Sequence, residues 1–316
     1  ALSPAQQQRS NISVIVTSAD YSKPLSQCNV YIDDTGIGTI TNNSGEFTLK
    51  VPTAFLTKSL VISYIGYESF RTEITTLSES DLEVKLKLSE SILGEILVGE
   101  VSGILTEALK RKDRNYPVEE KSMTSFYREV IRKNRSYKEI SQGILNISKT
   151  PYTTSDKDEL HIVKGGKSKN YSSKDTLAFK VAGGPNVMLL LDIVKEPGLV
   201  LSPEVFSLYE YVLLGSQMID NKNNYVIRFQ PKEGNTLPLF SGTAYVEKES
   251  FAISGLKFGY DRRNMIMAYK NLVKKQPASV SIKPMTINYE VQYREINDKW
   301  HLDYVRNEVE MKVRWK

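Results

Sequence analysis

Few side chains in this chain are of types that do covalent or proton-transfer chemistry, and their spacing limits what they can do. Cys28 is the one cysteine, so neither an intramolecular disulfide nor a multi-cysteine metal site can form. A thiol nucleophile also needs a base within hydrogen-bond reach. Only His161 and His301 are available, both far along the chain, and Cys28 precedes the apolar run Asn29-Val30-Tyr31-Ile32. A buried, inert thiol is expected. His161 has Asp156, Asp158 and Glu159 close by in sequence, a donor set zinc accepts, but no second histidine is local. His301 alternates with Leu302 and Tyr304 and is expected on a sheet face. Paired carboxylates occur at Asp33-Asp34, Glu119-Glu120 and Asp156-Asp158-Glu159. Glycoside hydrolysis needs two carboxyls facing each other across a cleft, one with a raised pKa, and these groups are expected in polar turns, solvated and unperturbed. The Asp156-Lys157-Asp158 stretch lacks the EF-hand pattern. Gly165-Gly166 and Gly183-Gly184 lack phosphate-loop spacing, and Gly184-Pro185-Asn186 reads as a turn feeding a helix. No catalytic, cofactor or metal residue is assigned.

Aromatic content is the remaining chemical feature, with 18 Tyr, 10 Phe and 2 Trp. Tyr289, Tyr293 and Tyr304 recur on strand-like alternation. Together with Met265 and Tyr269 on a neighbouring helical pattern, Tyr289 and Tyr293 are the candidate residues for an apolar, lipid-like or glycan ligand on a concave sheet. Cross-strand packing accounts for the same spacing.

The elements that must position these residues sit in an ordinary folded composition, 40% apolar and 25% charged over 316 residues, enough for two domains. A net charge of +5 is too small to argue for nucleic acid. No apolar run reaches the length of a membrane helix. The start, Ala-Leu-Ser-Pro-Ala-Gln-Gln-Gln, fits an end trimmed after export, and removal of an initiator Met before Ala1 would look the same.

Residues 12 to 88 read as seven short strands punctuated by turns. Phe47, Leu49 and Val51 alternate with Glu46, Thr48 and Lys50, and Asn42-Asn43-Ser44-Gly45 supplies a turn. Strands this closely spaced suit an antiparallel sandwich. The motifs Pro24-Leu25, Asn29-Val30, Gly38-Thr39-Ile40-Thr41, Ser44-Gly45-Glu46-Phe47, Ser63-Tyr64-Ile65-Gly66-Tyr67-Glu68 and Leu93-Gly94-Glu95-Ile96-Leu97-Val98 resemble the carboxypeptidase regulatory-like domain over residues 10–99. That family stands at the N-termini of many TonB-dependent receptors and other envelope proteins of Gram-negative bacteria. The resemblance implies a transthyretin-like sandwich and a periplasmic or outer-membrane-associated address, and no peptidase chemistry.

Residues 100–316 are expected to form an α+β domain with a curved, half-barrel-like antiparallel sheet. A helix is expected from a Ser102 N-cap to Asp113, with Ile104, Leu105, Ala108 and Leu109 on one face. Short helices are expected over Val187 to Val194 and from Asp261 to Gln276-Pro277. Strands are expected around a Lys133–Ser136 hairpin, at Leu160 to Val163, Tyr209 to Met218, Tyr225 to Phe229, Gly242 to Glu247, Phe251 to Gly259, Thr286 to Glu295 and Trp300 to Lys312. The hairpins from about 240 to 312 resemble those of outer-membrane lipoprotein carriers, and the half as a whole resembles a domain often found behind the N-terminal module, from which no residue role carries over. The function expected is a non-catalytic exported protein with a binding or scaffold role, its candidate ligand a lipid-like or other apolar molecule on the C-terminal sheet. The alternatives are an interaction module docking to an envelope receptor or secretion partner through the sandwich, and a hydrolase built on Asp158, His161 or His301.

Overall fold

The structure, a computed structural model, describes residues 9–77, 82–89, 98–134, 136–169, 180–181, 183–235, 237–260, 264–265, 273–275 and 278–315. Two compact units result. One comprises Ala1–Ile96 with Leu214–Val226 and Glu295–Asn297, the other Leu97–Leu213 with Ile227–Arg294 and Asp298–Lys316.

Seven strands build the first unit's sandwich: β1 (Arg9–Ser18), β2 (Asn29–Ile32), β3 (Gly38–Ile40), β4 (Glu46–Pro52), β5 (Ser59–Ser63), β6 (Phe70–Glu73) and β7 (Leu82–Leu86). One sheet runs β4-β1-β7 and the other β3-β2-β5-β6. All pairings are antiparallel except β1 with β7, which is parallel, Val14 facing Leu82 and Ser18 facing Leu86. The cause of each strand is visible in its alternation. In β4, Phe47, Leu49 and Val51 are buried while Glu46, Thr48 and Lys50 face water. These side chains meet Ile12, Val14, Val16, Val30, Ile32, Leu60, Ile62, Val84 and Leu86 in one core. Cys28 lies in that core, fully buried. Its Sγ–H donates to Leu25 O at 3.4 Å, and burial pushes the thiol up to about 12, consistent with an inert group.

The second unit opens with α1 (Val98–Lys110) and α2 (Lys112–Asn115). Helix α1 begins at Val98, so Ser102 is an interior residue and not the expected N-cap; Val101, Ile104, Leu105 and Ala108 form its buried face. Next come β8 (Lys121–Lys133), β9 (Ser136–Lys149) and β10 (Glu159–Lys169), an antiparallel sheet of order β10-β9-β8. A five-residue helix, α3 (Pro185–Leu189), follows β11 (Lys180–Val181) and precedes α4 (Pro203–Phe206). The expected helix through Val194 stops at Leu189, because Asp192 and Val194 take hydrogen bonds elsewhere. The large sheet is open, curved and six-stranded, ordered β12 (Tyr209–Ile219), β13 (Lys222–Pro231), β14 (Ser241–Glu247), β15 (Ile253–Gly259), β17 (Val280–Ile296), β18 (Lys299–Trp315), with β16 (Val273–Lys275) paired to β11 outside it. Positive φ at Asp220 and Asn221, and again at Asn297 and Asp298, lets two-residue turns join β12 to β13 and β17 to β18. Of the helix expected from Asp261 to Gln276, Asn264 and Met265 are helical but Val273–Lys275 is strand, and the remainder lies outside the described residues.

Gly45 gives the sandwich a test. Its φ is +77°, its carbonyl accepts from Val16 N–H at 2.8 Å, and a Cβ there would run into Val16 O and the Pro24 side chain. Gly45→Ala is expected to cost at least about 1–2 kcal/mol. Gly36→Ala, with no atom within 4 Å of its added carbon, should stay within about 0.5 kcal/mol of the parent. Urea midpoints for the two variants measure the difference.

Candidate functional site

The densest collection of ionisable groups among the described residues is buried in the second unit. Strand β9 turns Gly143, Leu145, Ile147 and Lys149 to its inner face, so the alternation that buries two aliphatic side chains also buries an ammonium. The chain then runs through Thr150, Pro151 and Tyr152 and returns to β10 by way of Asp158. The turn after α3 contributes Asp192 and Lys195, β17 contributes Tyr293, and the residue after α2 contributes Tyr116. The side chains of Lys149, Asp158, Asp192 and Lys195 are between 0% and 5% exposed.

An isolated buried charge would be prohibitive, so each must find partners. Lys149 Nζ lies 2.5 Å from Asp158 Oδ2 and 2.6 Å from Asp192 Oδ2, and 5.1 Å from the Tyr152 ring centre. Asp192 Oδ2 also accepts from Tyr152 OH at 2.9 Å, while Oδ1 accepts from Tyr293 OH at 2.6 Å and Lys195 N–H at 3.4 Å. A carboxylate offers about four lone-pair positions, and Asp192 has four donors. Asp158 Oδ1 accepts from the Thr150 N–H at 2.9 Å and faces Lys195 Nζ at 3.3 Å. Lys195 Nζ donates further to the carbonyls of Thr150 and Pro151, both at 3.1 Å, and to Thr150 Oγ1. Tyr293 OH accepts from Val194 N–H at 3.1 Å, and Tyr116 OH donates to Ile253 O at 2.8 Å. The rings of Tyr152 and Tyr293 stand 5.1 and 5.8 Å from that of Tyr116.

Titration follows from these contacts. Burial opposes the charge on Lys149, but Asp192 and Asp158 outweigh it and hold the ammonium's pKa up. Burial likewise works against the Asp158 carboxylate, and the bond to Lys149 prevails and lowers its pKa. Burial, then the Asp192 charge, raises Tyr152 and Tyr293 well above the ordinary phenol value; burial dominates at Tyr116. With four donors on Asp192 and the four charged side chains at most 5% exposed, the arrangement is an internal clamp that ties together residues 149–158, 192–195 and Tyr293.

Asp158 corrects the sequence expectation directly. It was expected in a solvated, unperturbed turn, and it is buried with a lowered pKa, because β10 starts beside the buried end of β9. Of the candidate ligand residues, Tyr293 is 3% exposed and bonded into the clamp, and Tyr289 packs against Phe258 and Phe240 with ring centres 5.2 and 5.8 Å away. Met265 is buried, and Tyr269 lies outside the described residues. His161 stands exposed on β10, 3.9 Å from Glu159, and His301 lies on β18. One signal in the sequence pointed to the clamp: Lys149 falls on the same alternate phase as Leu145 and Ile147, where a lysine is tolerated only when paired.

The opposite face of β8–β10 is solvated. Phe126 pairs with Ile144, which pairs with Lys164, and Arg128 pairs with Gln142, which pairs with Gly166. Phe126 is 59% exposed and Ile144 is exposed beside it. These three strands carry nine Lys or Arg and three Glu. Without Lys149, which lies on the inner face, eight Lys or Arg stand against three Glu, a surplus of five that equals the +5 of the entire chain.

Lys149→Met should cost about 3–5 kcal/mol by leaving the aspartates under-compensated. Adding Asp192→Leu restores charge balance with the Asp158–Lys195 pair, and the double variant should lose less than the sum of the single losses. The pH dependence has a definite sign. Lys149 and the three tyrosines have raised folded pKa values, so their contribution is complete below the ordinary 10.5 and 10.0 and is lost as pH climbs through the folded values. Asp158, with a lowered value, contributes above its ordinary 3.8 and loses that contribution as pH falls through the folded value. Urea unfolding from pH 2 to 11 should show stability falling at both ends, with a smaller alkaline fall in Tyr293→Phe.

Comparison with known proteins agrees with the geometry of the first unit. No curated protein matches the chain. Residues 14–98 match the family model of the CarboxypepD_reg-like domain, and the sandwich at the N-terminus is a domain of that family.

Proposed function

We propose that this chain is a non-catalytic, exported protein of the cell envelope, periplasmic or outer-membrane associated, that works by binding or scaffolding through its surfaces. One observation carries the reading: the buried Lys149, Asp158 and Asp192 are engaged with one another and with tyrosine hydroxyls, whereas exposed basic and apolar groups suited to recognition are gathered on β8–β10. The envelope address rests on the company that carboxypeptidase regulatory-like domains keep. A lipid-like or glycan ligand on the large sheet draws less support, since Tyr289 and Tyr293 are engaged in packing and hydrogen bonds. A second reading, docking of a receptor or secretion partner on the sandwich, is favoured by a surface concavity lined by Ser13, Ile15, Ile40, Glu46 and Thr48, in which Ile15 and Ile40 are exposed.

Two measurements test this. Fractionation of cells expressing the full open reading frame should recover the chain with the envelope; a cytosolic pool would remove the address. Panels of ester, peptide, glycoside and phosphoester substrates should give no turnover. Hydrolysis that disappears in His161→Ala or His301→Ala would establish the hydrolase alternative instead.

A further inference from the structure

Strand β10 is unlike the other long strands. Ten of its eleven residues are exposed on both faces, the exception being Leu160, which is half-buried. Ile162 is 67% and Val163 60% exposed, values that describe β-branched side chains with nothing packed on them. Among the described residues β10 pairs with β9 alone, so along its other edge alternate N–H and C=O groups point outward. The edge is basic: Lys164, Lys167 and Lys169 lie on it, Lys167 reaches Glu139 on the neighbouring strand, and the only acid on β10 is Glu159 at its start.

We propose that the β10 edge, Glu159–Lys169, receives an extended acidic segment of a partner protein as a fourth strand of the β10-β9-β8 sheet. The inference deepens the surface-binding reading above and rests on it. Three physical arguments select this occupant. Backbone groups left open on an edge are satisfied by an added strand, which draws affinity from main-chain hydrogen bonds and specificity from alternate side chains. A second copy of the same edge is disfavoured, because parallel in-register pairing sets every lysine against itself, antiparallel pairing over the full strand sets Lys164 against Lys164, and the register shift between Ile162 and Lys164 interrupts the regular ladder. A lipid surface is disfavoured too, since burying open N–H and C=O groups in hydrocarbon leaves them without partners. An acidic strand answers the lysines, and its apolar residues would cover Ile162 and Val163.

The probe is a pool of acetylated nine-residue peptides alternating Asp or Glu with randomised Val, Ile, Thr and Phe, measured on the full chain against a pool with Lys at the acidic positions and against phosphatidylglycerol vesicles. The acidic pool should bind in preference to the lysine pool, weaken with added salt, and slow amide exchange within 159–169. Lys164→Glu with Lys169→Glu, both at exposed positions, should reduce acidic-pool binding at least tenfold and admit the lysine pool. Val163→Pro, which stiffens the edge and removes an N–H, is the second variant should the charge reversal disturb folding. Failure of the acidic pool to bind, equal binding of both pools, protection confined to other strands, or binding to the vesicles alone would each overturn the proposal. None of these outcomes involves turnover or cell fractionation, so the non-catalytic envelope reading stands or falls separately.

Discussion

The constraint on which the second unit depends is the burial of the Lys149 ammonium. A strand whose inner face reads Gly143, Leu145, Ile147, Lys149 delivers a charge to a place where water does not follow. Several kcal/mol of desolvation must then be offset by partners with good geometry. Those partners come from other parts of the chain: Asp158 from the residue before β10, Asp192 from the turn after α3, and, through Asp192, the hydroxyls of Tyr152 and Tyr293. A shifted β9 register would send Lys149 to the solvated face and leave Asp192 and Asp158 without their shared cation. The ion network therefore specifies register more than it supplies net stability, since an apolar core of the same volume would pack as well. It also explains why α3 ends at Leu189: the backbone beyond it must bring Asp192, Val194 and Lys195 to different partners, which a continuing helix could not do.

The two units differ in how much of this the sequence disclosed. In the sandwich, period-two alternation is nearly unbroken, turn residues mark the strand ends, and one core accepts the apolar phase of every strand. The strand set followed from Phe47, Leu49 and Val51 and their counterparts. The parallel pairing of β1 with β7 did not, because alternation says which face is buried and nothing about which neighbour lies alongside. In the second unit the strands were also legible, but helix ends were not. Helix α1 starts before Ser102 because Val101 belongs to its buried face, and a polar residue inside a helix resembles a cap when only local spacing is read.

The clamp was illegible for a different reason. Its members are separated by up to 177 residues, from Tyr116 to Tyr293, and apart from the phase of Lys149 each alone looks ordinary: an acid in a turn, a tyrosine on a strand. Asp158 was misplaced because polar sequence surroundings were equated with solvent. Its neighbours Asp156 and Lys157 are indeed exposed, and the reversal of the chain at that point is what turns one carboxylate inward. Tyr293 illustrates the converse case. Spacing identified it as facing inward, but an inward tyrosine can line a cavity or bond a buried acid, and only the position of Asp192 decides between them.

The contrast between the two faces of the β8–β10 sheet joins these points into a functional argument. Lys149 on one face is bound by two carboxylates and cannot recognise anything further. On the other face and along β10, Arg128, Lys164 and Lys169 lie in solvent among exposed Phe126, Ile144, Ile162 and Val163. Lysines along an open edge protect against self-association, and the same charges leave that edge complementary to one kind of strand. Protection from the wrong partner and attraction of an acidic one are consequences of a single charge distribution, fixed in place by a register that the buried ion network enforces.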